Sequence, residues 1–206
     1  MTALSRRNLI AGAGALTVHF ALGARAQTAL PGDLKSTPRL DSWIKIDTQG
    51  AVIVFTGKAE LGQGIRTALL QIVAEQLDVS PEAVAVITAD TARTPNEGYT
   101  AGSHSMQDSG TALLHASAQV REILKGLAAK RLNLPIDQLR TEKGAVVAGA
   151  RRVGYGELVT GQALHVDAQP QSALKESARH AVMGTAFPRV DIPDRKSTRL
   201  NSSHGY

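Results

Sequence analysis

The residues with the clearest chemical potential are a glycine-flanked glutamine, Gly62-Gln63-Gly64, between a strand-like run and a helix-like run. Glycine has no Cβ, so it tolerates the strained dihedrals of a tight turn that approaches a ligand. The Gln63 amide offers both a carbonyl acceptor and an NH2 donor. The helix that follows would aim its free N–H groups at the same place. The pattern predicts a turn that holds an oxygen or phosphate of an anionic ligand.

A second turn of similar chemistry lies in the long polar stretch 91–108. Gly102, Ser103 and Ser105 stand just before a second helix-like run, so they predict a second cradle for a phosphate or pterin group. Two such turns, each leading into a helix, predict one extended anionic cofactor. The alternative is that both are ordinary turns and caps, because short motifs of this kind have a high false-positive rate.

The elements that must position these turns can be read from hydrophobic periodicity. The pattern predicts a hairpin of two strands, a helix, a third strand, a second helix and further short strands, at 43–47, 52–56, 65–77, 84–90, 109–132 and 140–160. This order predicts an α/β (α+β) fold in which a mixed sheet carries helices on one face.

Charge and cysteine content exclude several classes of partner and site. The chain carries +5, of which three charges come from Arg6, Arg7 and Arg25 and two from residues 194–206, so residues 27–193 have no net charge. Nothing in this balance supports a nucleic-acid or membrane-surface partner. Without cysteine, the chain has no thiolate ligands for an iron–sulfur cluster or structural zinc.

The first 26 residues have the order of a twin-arginine signal peptide. Arg6-Arg7 precede an apolar, glycine-rich run, and Ala24-Arg25-Ala26 is a small-x-small cleavage site. The apolar run is shorter than the roughly 20 residues of a membrane span. We therefore expect export to the periplasm in the folded state, with no membrane span.

The chain then divides into unequal parts. Residues 27–40 lack periodicity and predict a linker. Residues 194–206 resemble a translated sequencing adapter, so we expect an artefact there and a natural chain that continues beyond residue 193. The four histidines outside these ends show no common metal-ligand spacing and predict no metal site: His104, His115, His165 and His180.

Two runs, 57–69 and 90–103, resemble the molybdenum-cofactor-binding large subunit of the xanthine dehydrogenase/aldehyde oxidase family. Within that family the chain is most similar to exported isoquinoline 1-oxidoreductase-like β subunits. Residues 187–193 resemble the entry into a hammerhead-like domain. The resemblance implies a partial molybdopterin-binding domain over 41–186 and the start of the next domain at 187–193.

The resemblance also implies roles for individual residues. The Gln63 amide would hydrogen-bond an oxygen on molybdenum, and Gly62 and Gly64 would give it room. Asp90 stands near where relatives carry a glutamate that orients substrate, although its side chain is shorter. The family's general base is a glutamate far toward the C-terminus, so we expect no catalytic residue in this chain.

The implied cofactor is molybdopterin with molybdenum, in the cytosine dinucleotide form. Iron–sulfur clusters would lie in a separate small subunit, with a cytochrome as a candidate further electron acceptor. The whole enzyme would hydroxylate an aldehyde or aromatic N-heterocycle with oxygen from water, and the present piece alone would be inactive. The alternative is an exported, cofactor-free binding or interaction module whose glycine turns are only structural.

Overall fold

The structure is a computed structural model that describes residues 29–159, 164–169, 171 and 173–192. The predicted signal peptide and the predicted artefact at 194–206 lie outside the described residues. Among the described helices, none combines the length and apolar character needed to cross a bilayer.

The first sheet is mixed and has the order β1-β2-β3. Strands β1 (Ile44–Ile46) and β2 (Val52–Thr56) form the predicted antiparallel hairpin, in which the Asp47 carboxylate accepts the N–H groups of Gln49 and Ala51, each at 2.9 Å. Strand β3 (Val84–Thr88) pairs parallel to β2. A parallel neighbour requires a crossover connection, which places a helix on one face of the sheet.

Helix α1 (Ile65–Leu77) is that crossover, with the bounds predicted from its apolar stripe. It packs against β3 and against the longer helix α2 (Thr111–Leu132). The second helix was predicted from residue 109, but Ser105–Gly110 forms a π-helical segment ahead of it. Such segments are uncommon and are frequent at functional sites.

The second sheet is a separate antiparallel meander after α2. Its strands are β4 (Arg140–Glu142), β5 (Ala145–Ala148) and β6 (Arg151–Gly154), and a short helix α3 (Tyr155–Leu158) follows. The predicted α/β (α+β) class is confirmed. The described chain nevertheless has two sheets, because the strands at 140–154 pair only with one another.

The predicted linker at 27–40 is wrong for its described part, residues 29–40. Leu34 and Leu40 lie in short 3-10 helices and are fully buried in the same apolar cluster as Trp43. The Trp43 indole N–H donates to the Thr37 carbonyl at 2.8 Å. Short non-periodic segments can supply core residues without showing a helix or strand pattern, so hydrophobic periodicity does not reveal them.

Candidate functional site

The two predicted glycine turns line one cleft of about 470 Å³. It lies between the start of α1 and the π-helical segment that leads into α2. Its walls consist of uncharged residues: Leu61, Gln63, Gly64, Ile65, Ala68, Thr100, Ala101, Gly102, Ser103, Ser105 and Met106. The structure therefore brings together both turns that the sequence marked as parts of one binding site.

The first turn depends on its glycines. Gly62 and Gly64 have φ angles of 98° and 84°, a region that side-chain-bearing residues rarely adopt. The Gln63 amide folds back on this turn: its Nε2 donates to the Ala59 carbonyl at 2.8 Å, and its Oε1 accepts the Leu61 N–H at 2.6 Å. One N–H and one lone pair of the amide are left for a ligand.

The N–H groups at the start of α1 are not available to a ligand anion, contrary to the sequence-based expectation. The Glu60 carboxylate already accepts the N–H groups of Gly62 at 2.7 Å, Gly64 at 3.0 Å and Arg66 at 3.1 Å. A carboxylate at a helix N-terminus satisfies free N–H groups and is stabilised by the helix dipole. The Glu60 side chain thus takes the place that a ligand oxygen or phosphate was expected to occupy.

Arg189 ties this turn to the end of the described chain. Its Nη2 donates to the Gly62 carbonyl at 2.7 Å and to the buried Asp191 carboxylate at 2.6 Å. The hydrogen bond to Asp191 raises the pKa of the Arg189 guanidinium. The Val190 N–H donates to the Thr67 hydroxyl at 3.0 Å. The segment predicted to begin another domain therefore contacts the start of α1.

The second turn presents hydroxyl groups. Gly102 and Ser103 both have positive φ angles, 59° and 62°. For a serine this conformation carries strain, and such strain clusters at ligand sites. The hydroxyls of Ser103 and Ser105 have no hydrogen-bond partner within the part of the chain that the structure describes. They remain available to a ligand in the cleft.

Asp90 is not brought to the cleft. Its carboxylate accepts from the Arg93 guanidinium at 2.6 Å and from the Ala92 N–H at 3.0 Å, and its carbonyl closes the turn to Thr94. The hydrogen bond from Arg93 lowers the pKa of Asp90. Its contacts are those of a turn cap, and its role in orienting substrate stays a prediction.

A buried polar cluster under the cleft was missed from sequence. The Glu97 carboxylate accepts the Thr56 hydroxyl at 2.7 Å, the Gly57 N–H at 2.6 Å and the Ser109 hydroxyl. Burial raises the pKa of Glu97 in spite of these bonds. Lys58 is also buried and bonds to the same loop. The only signal was a run of polar residues at the end of an apolar strand, which is common at sheet edges.

The rim of the cleft is apolar and exposed. Leu61 is 72% exposed and Met106 47%, and the nearby Tyr99 is 93% exposed. No side chain that lines the cleft within the described residues titrates near neutral pH. No set of three metal-ligating side chains is found in the described ranges either. The cleft can bind and orient a ligand, but its lining offers no general base.

Comparisons with known proteins identify the family of this chain. Residues 3–198 match the family described as molybdopterin cofactor-binding domain. The chain is 37% identical to the B chain of nicotinate dehydrogenase, a subunit from Pseudomonas putida, over 163 residues, which cover 79% of the chain and 14% of that relative. It is 30% identical to the β subunit of isoquinoline 1-oxidoreductase from Brevundimonas diminuta, with 93% of the chain and 30% of that relative covered. The chain thus spans less than a third of either protein.

The fold also has a counterpart among solved structures. Reconstituted CO dehydrogenase from Oligotropha carboxidovorans aligns with a TM-score of 0.50 and 24% identity, over 56% of this chain and 15% of that one. At this identity the likeness concerns the fold alone.

Proposed function

We propose that this chain, which belongs to the molybdopterin cofactor-binding domain family, forms one wall of the cofactor site of a molybdenum-dependent oxidoreductase. The observation that carries the proposal is the convergence of the Gly62–Gly64 and Gly102–Ser103 turns on one uncharged cleft. A pterin displays ring nitrogens, an amino group and a carbonyl at its edge. The amide of Gln63 and the free hydroxyls of Ser103 and Ser105 fit that chemistry, and no lining carboxylate repels an anionic tail.

Each residue then has a limited task. The remaining amide N–H of Gln63 would donate to an oxygen of the bound group, and the hydroxyl groups of Ser103 and Ser105 would donate to its polar edge. Gly62 and Gly64 would allow the backbone to approach. When bound, the molybdenum centre supplies the two-electron oxidation of the substrate. Among the described residues, the cleft lining has no titratable residue, and the resemblance to the family implies that the general base is a glutamate far toward the C-terminus of the whole protein.

The names of two relatives support one of the two expected substrate classes. Both are named for aromatic N-heterocycles, nicotinate and isoquinoline, and this supports an N-heterocycle over an aldehyde for the whole enzyme. Both are also named as subunits, which supports assembly with other chains. The absence of cysteine in this sequence favours a separate iron–sulfur subunit.

Export, nucleotide form and activity of the isolated chain are further parts of the proposal. The order of arginines, apolar run and cleavage site supports a periplasmic protein exported by the twin-arginine route. The resemblance of runs 57–69 and 90–103 to the family motivates the cytosine dinucleotide form. The 206 residues alone cover a small share of each relative's length, so we expect no turnover from them by themselves.

The test is to co-express the gene, read to its natural stop codon, with its small subunit, and to measure bound molybdenum and the nucleotide released by acid. We expect stoichiometric molybdenum and cytidine monophosphate. Gln63→Ala removes one hydrogen bond to a polar or charged group, so turnover of an N-heterocycle should fall about 10- to 100-fold. The control is Gln107→Ala, since Gln107 is exposed and does not line the cleft.

Two results would contradict the proposal at different levels. Turnover and molybdenum content like those of the unmodified protein in Gln63→Ala would remove the role of Gln63. A folded, unmodified protein without molybdenum would remove the proposed function and favour the cofactor-free binding module.

A further inference from the structure

A lysine is buried between the two segments that lead into the walls of the cleft. Lys58 is 2% exposed, and its Nζ donates to the carbonyls of Glu97 at 2.5 Å and Tyr99 at 3.2 Å. No acidic side chain in the described ranges forms a salt bridge with it. Removing an ammonium from water costs several kcal/mol, and neutral carbonyls offset only part of this. A hydrophobic side chain would fill the site at lower cost, so the position of the charge calls for an explanation.

The bonds of Lys58 belong to a seam between residues 56–59 and 95–100. The Gly57 N–H donates to the Glu97 carboxylate at 2.6 Å, and the Ala59 N–H donates to the Thr100 hydroxyl at 2.8 Å. A Cβ added at Gly57 would lie 2.2 Å from the Pro95 carbonyl oxygen. The two backbones are therefore in contact along the seam, and they cannot approach more closely.

The walls of the cleft begin where this seam ends. After Ala59 the chain forms the Gly62–Gly64 turn, and after Thr100 it forms the Gly102–Ser103 turn. Lys58 is the long buried side chain that bridges the two segments immediately before they separate. Its ammonium carries a charge-assisted hydrogen bond to each of two carbonyls, and such bonds are stronger than neutral ones.

We propose that Lys58 is a positioning residue whose buried ammonium fixes the separation of the two glycine turns and so preorganises the cleft for its cofactor. The part that concerns the cofactor rests on the proposed function. A site that is held in its binding geometry before the ligand arrives loses less conformational entropy on binding. Removal of the ammonium should therefore widen the range of cleft conformations and accelerate release of the bound group.

The first experiment uses the unmodified full chain and needs no cofactor. Reductive methylation with formaldehyde and cyanoborohydride, followed by peptide mass spectrometry, gives the labelling rate of each lysine. Lys58 should react at least about tenfold more slowly than the exposed Lys143, because its amine is inaccessible while the seam is closed. Equal rates for the two lysines would overturn the proposal.

The second experiment compares Lys58→Met with Tyr155→Phe in the molybdenum-loaded complex. Tyr155 is buried far along the chain and its hydroxyl donates to the Leu77 carbonyl at 2.6 Å, so its loss lowers stability outside the cleft. Each variant is incubated at the same interval below its own Tm. We expect Lys58→Met to release molybdenum roughly tenfold faster than Tyr155→Phe, the effect of about 1.4 kcal/mol. Amide hydrogen exchange should accelerate at 97–106 in Lys58→Met only.

Equal release and equal exchange in the two variants would overturn the positioning role. If Lys58→Met does not fold, Lys58→Gln keeps an NH2 donor group without the charge and is measured in the same way. An unmodified complex without molybdenum would contradict the proposed function, whereas the labelling and exchange results would still decide whether Lys58 fixes the walls.

Discussion

Each end of helix α1 has a glutamate beside a cavity, but the two cavities differ in their polar groups. Glu60 lies at the N-terminal end next to the cleft of about 470 Å³, and Glu75 lies near the C-terminal end in a larger cavity of about 680 Å³. Each carboxylate accepts three backbone N–H groups. The difference lies in what else surrounds the cavity.

At the C-terminal end the charged groups around Glu75 are paired within the chain. The Glu75 carboxylate accepts from Ala181 at 2.8 Å, Val182 at 2.6 Å and Met183 at 3.1 Å. The Lys175 ammonium lies 3.4 Å from Glu75 and 2.5 Å from the Asp78 carboxylate. These contacts hold the segment 173–185 against α1. The cavity therefore lies where two parts of the same chain pack together.

At the N-terminal end, hydrogen-bonding capacity is left over. The cleft has no charged lining residue, the Gln63 amide keeps one donor and one acceptor position, and the hydroxyls of Ser103 and Ser105 have no partner within the described part of the chain. We therefore place the proposed ligand site in the smaller cleft, where both glycine turns contribute to the lining.

The largest effect should come from Glu75→Leu. The change leaves three backbone N–H groups without their acceptor, whereas the Lys175 ammonium keeps the Asp78 carboxylate. Because each buried donor without a partner costs about 1–3 kcal/mol, we expect a loss of about 3–5 kcal/mol. Urea-induced unfolding measures the loss, and limited proteolysis should show cleavage within 173–185. The matched control is Glu176→Leu, an exposed partner of Arg179 whose loss should cost less than about 0.5 kcal/mol.

The same carboxylate predicts the sign of a pH effect. Burial alone would raise the pKa of Glu75, but the N–H bonds of Val182, Met183 and Ala181, together with the Lys175 charge, outweigh it and lower the pKa below 4.5. Its contribution is therefore present above pH 4.5 and lost as the pH falls through the lowered value. A Glu75→Leu deficit that persisted unchanged down to about pH 2 would contradict the assignment.

A smaller effect, of opposite sign with pH, is expected for Glu97→Gln under the cleft. Burial raises the pKa of Glu97 above 4.5, so its contribution to stability is present below pH 4.5 and is lost as the pH rises through the raised value. A glutamine can accept from Gly57 and donate to the Ser109 hydroxyl. The two proteins should differ by less than about 1 kcal/mol at about pH 4.

The measurement for Glu97→Gln is the free energy of unfolding from about pH 4 to about pH 8. As the pH rises, the free energy of unfolding of Glu97→Gln should increase relative to that of the unmodified protein. The free energy of unfolding of Glu75→Leu should decrease relative to it. If the relative stability of Glu97→Gln also decreased with rising pH, Glu97 and Glu75 would stabilise the fold in the same way. The contrast between the two regions would then fail.

Local pattern was enough to predict several elements. The apolar stripe predicted both ends of α1, the hairpin turn predicted β1 and β2, and the two glycine turns lie in one cleft as expected. The remainder depends on contacts between distant residues. The bonds of Glu97 and Lys58 span about 40 positions, and no periodicity records them. The burial of Leu34 has the same origin.

The Glu60 carboxylate shows why a correct motif can still give an incomplete site. The free N–H groups at the start of α1 predicted a binding site for a ligand anion. The Glu60 carboxylate occupies that site instead, from a position only four residues before the helix cap Gly64. Several side chains near a helix start can reach these groups, and the sequence does not tell which rotamer is adopted. The open donors of the cleft are instead at Gln63, Ser103 and Ser105.

An effect close in size to that of Glu97→Gln should come from Glu60→Gln, which tests the N-terminal end directly. A glutamine carbonyl can still accept from Gly62 and Gly64, but its amide cannot accept from Arg66, and the charge at the helix dipole is lost. We expect a loss of about 1 kcal/mol and faster amide exchange at 62–66. Glu176→Gln is the matched control, with exchange unchanged at 62–66. If Glu60→Gln cost more than Glu75→Leu, the N-terminal end would be the structural anchor and the cleft's open donors would no longer distinguish the two ends of α1.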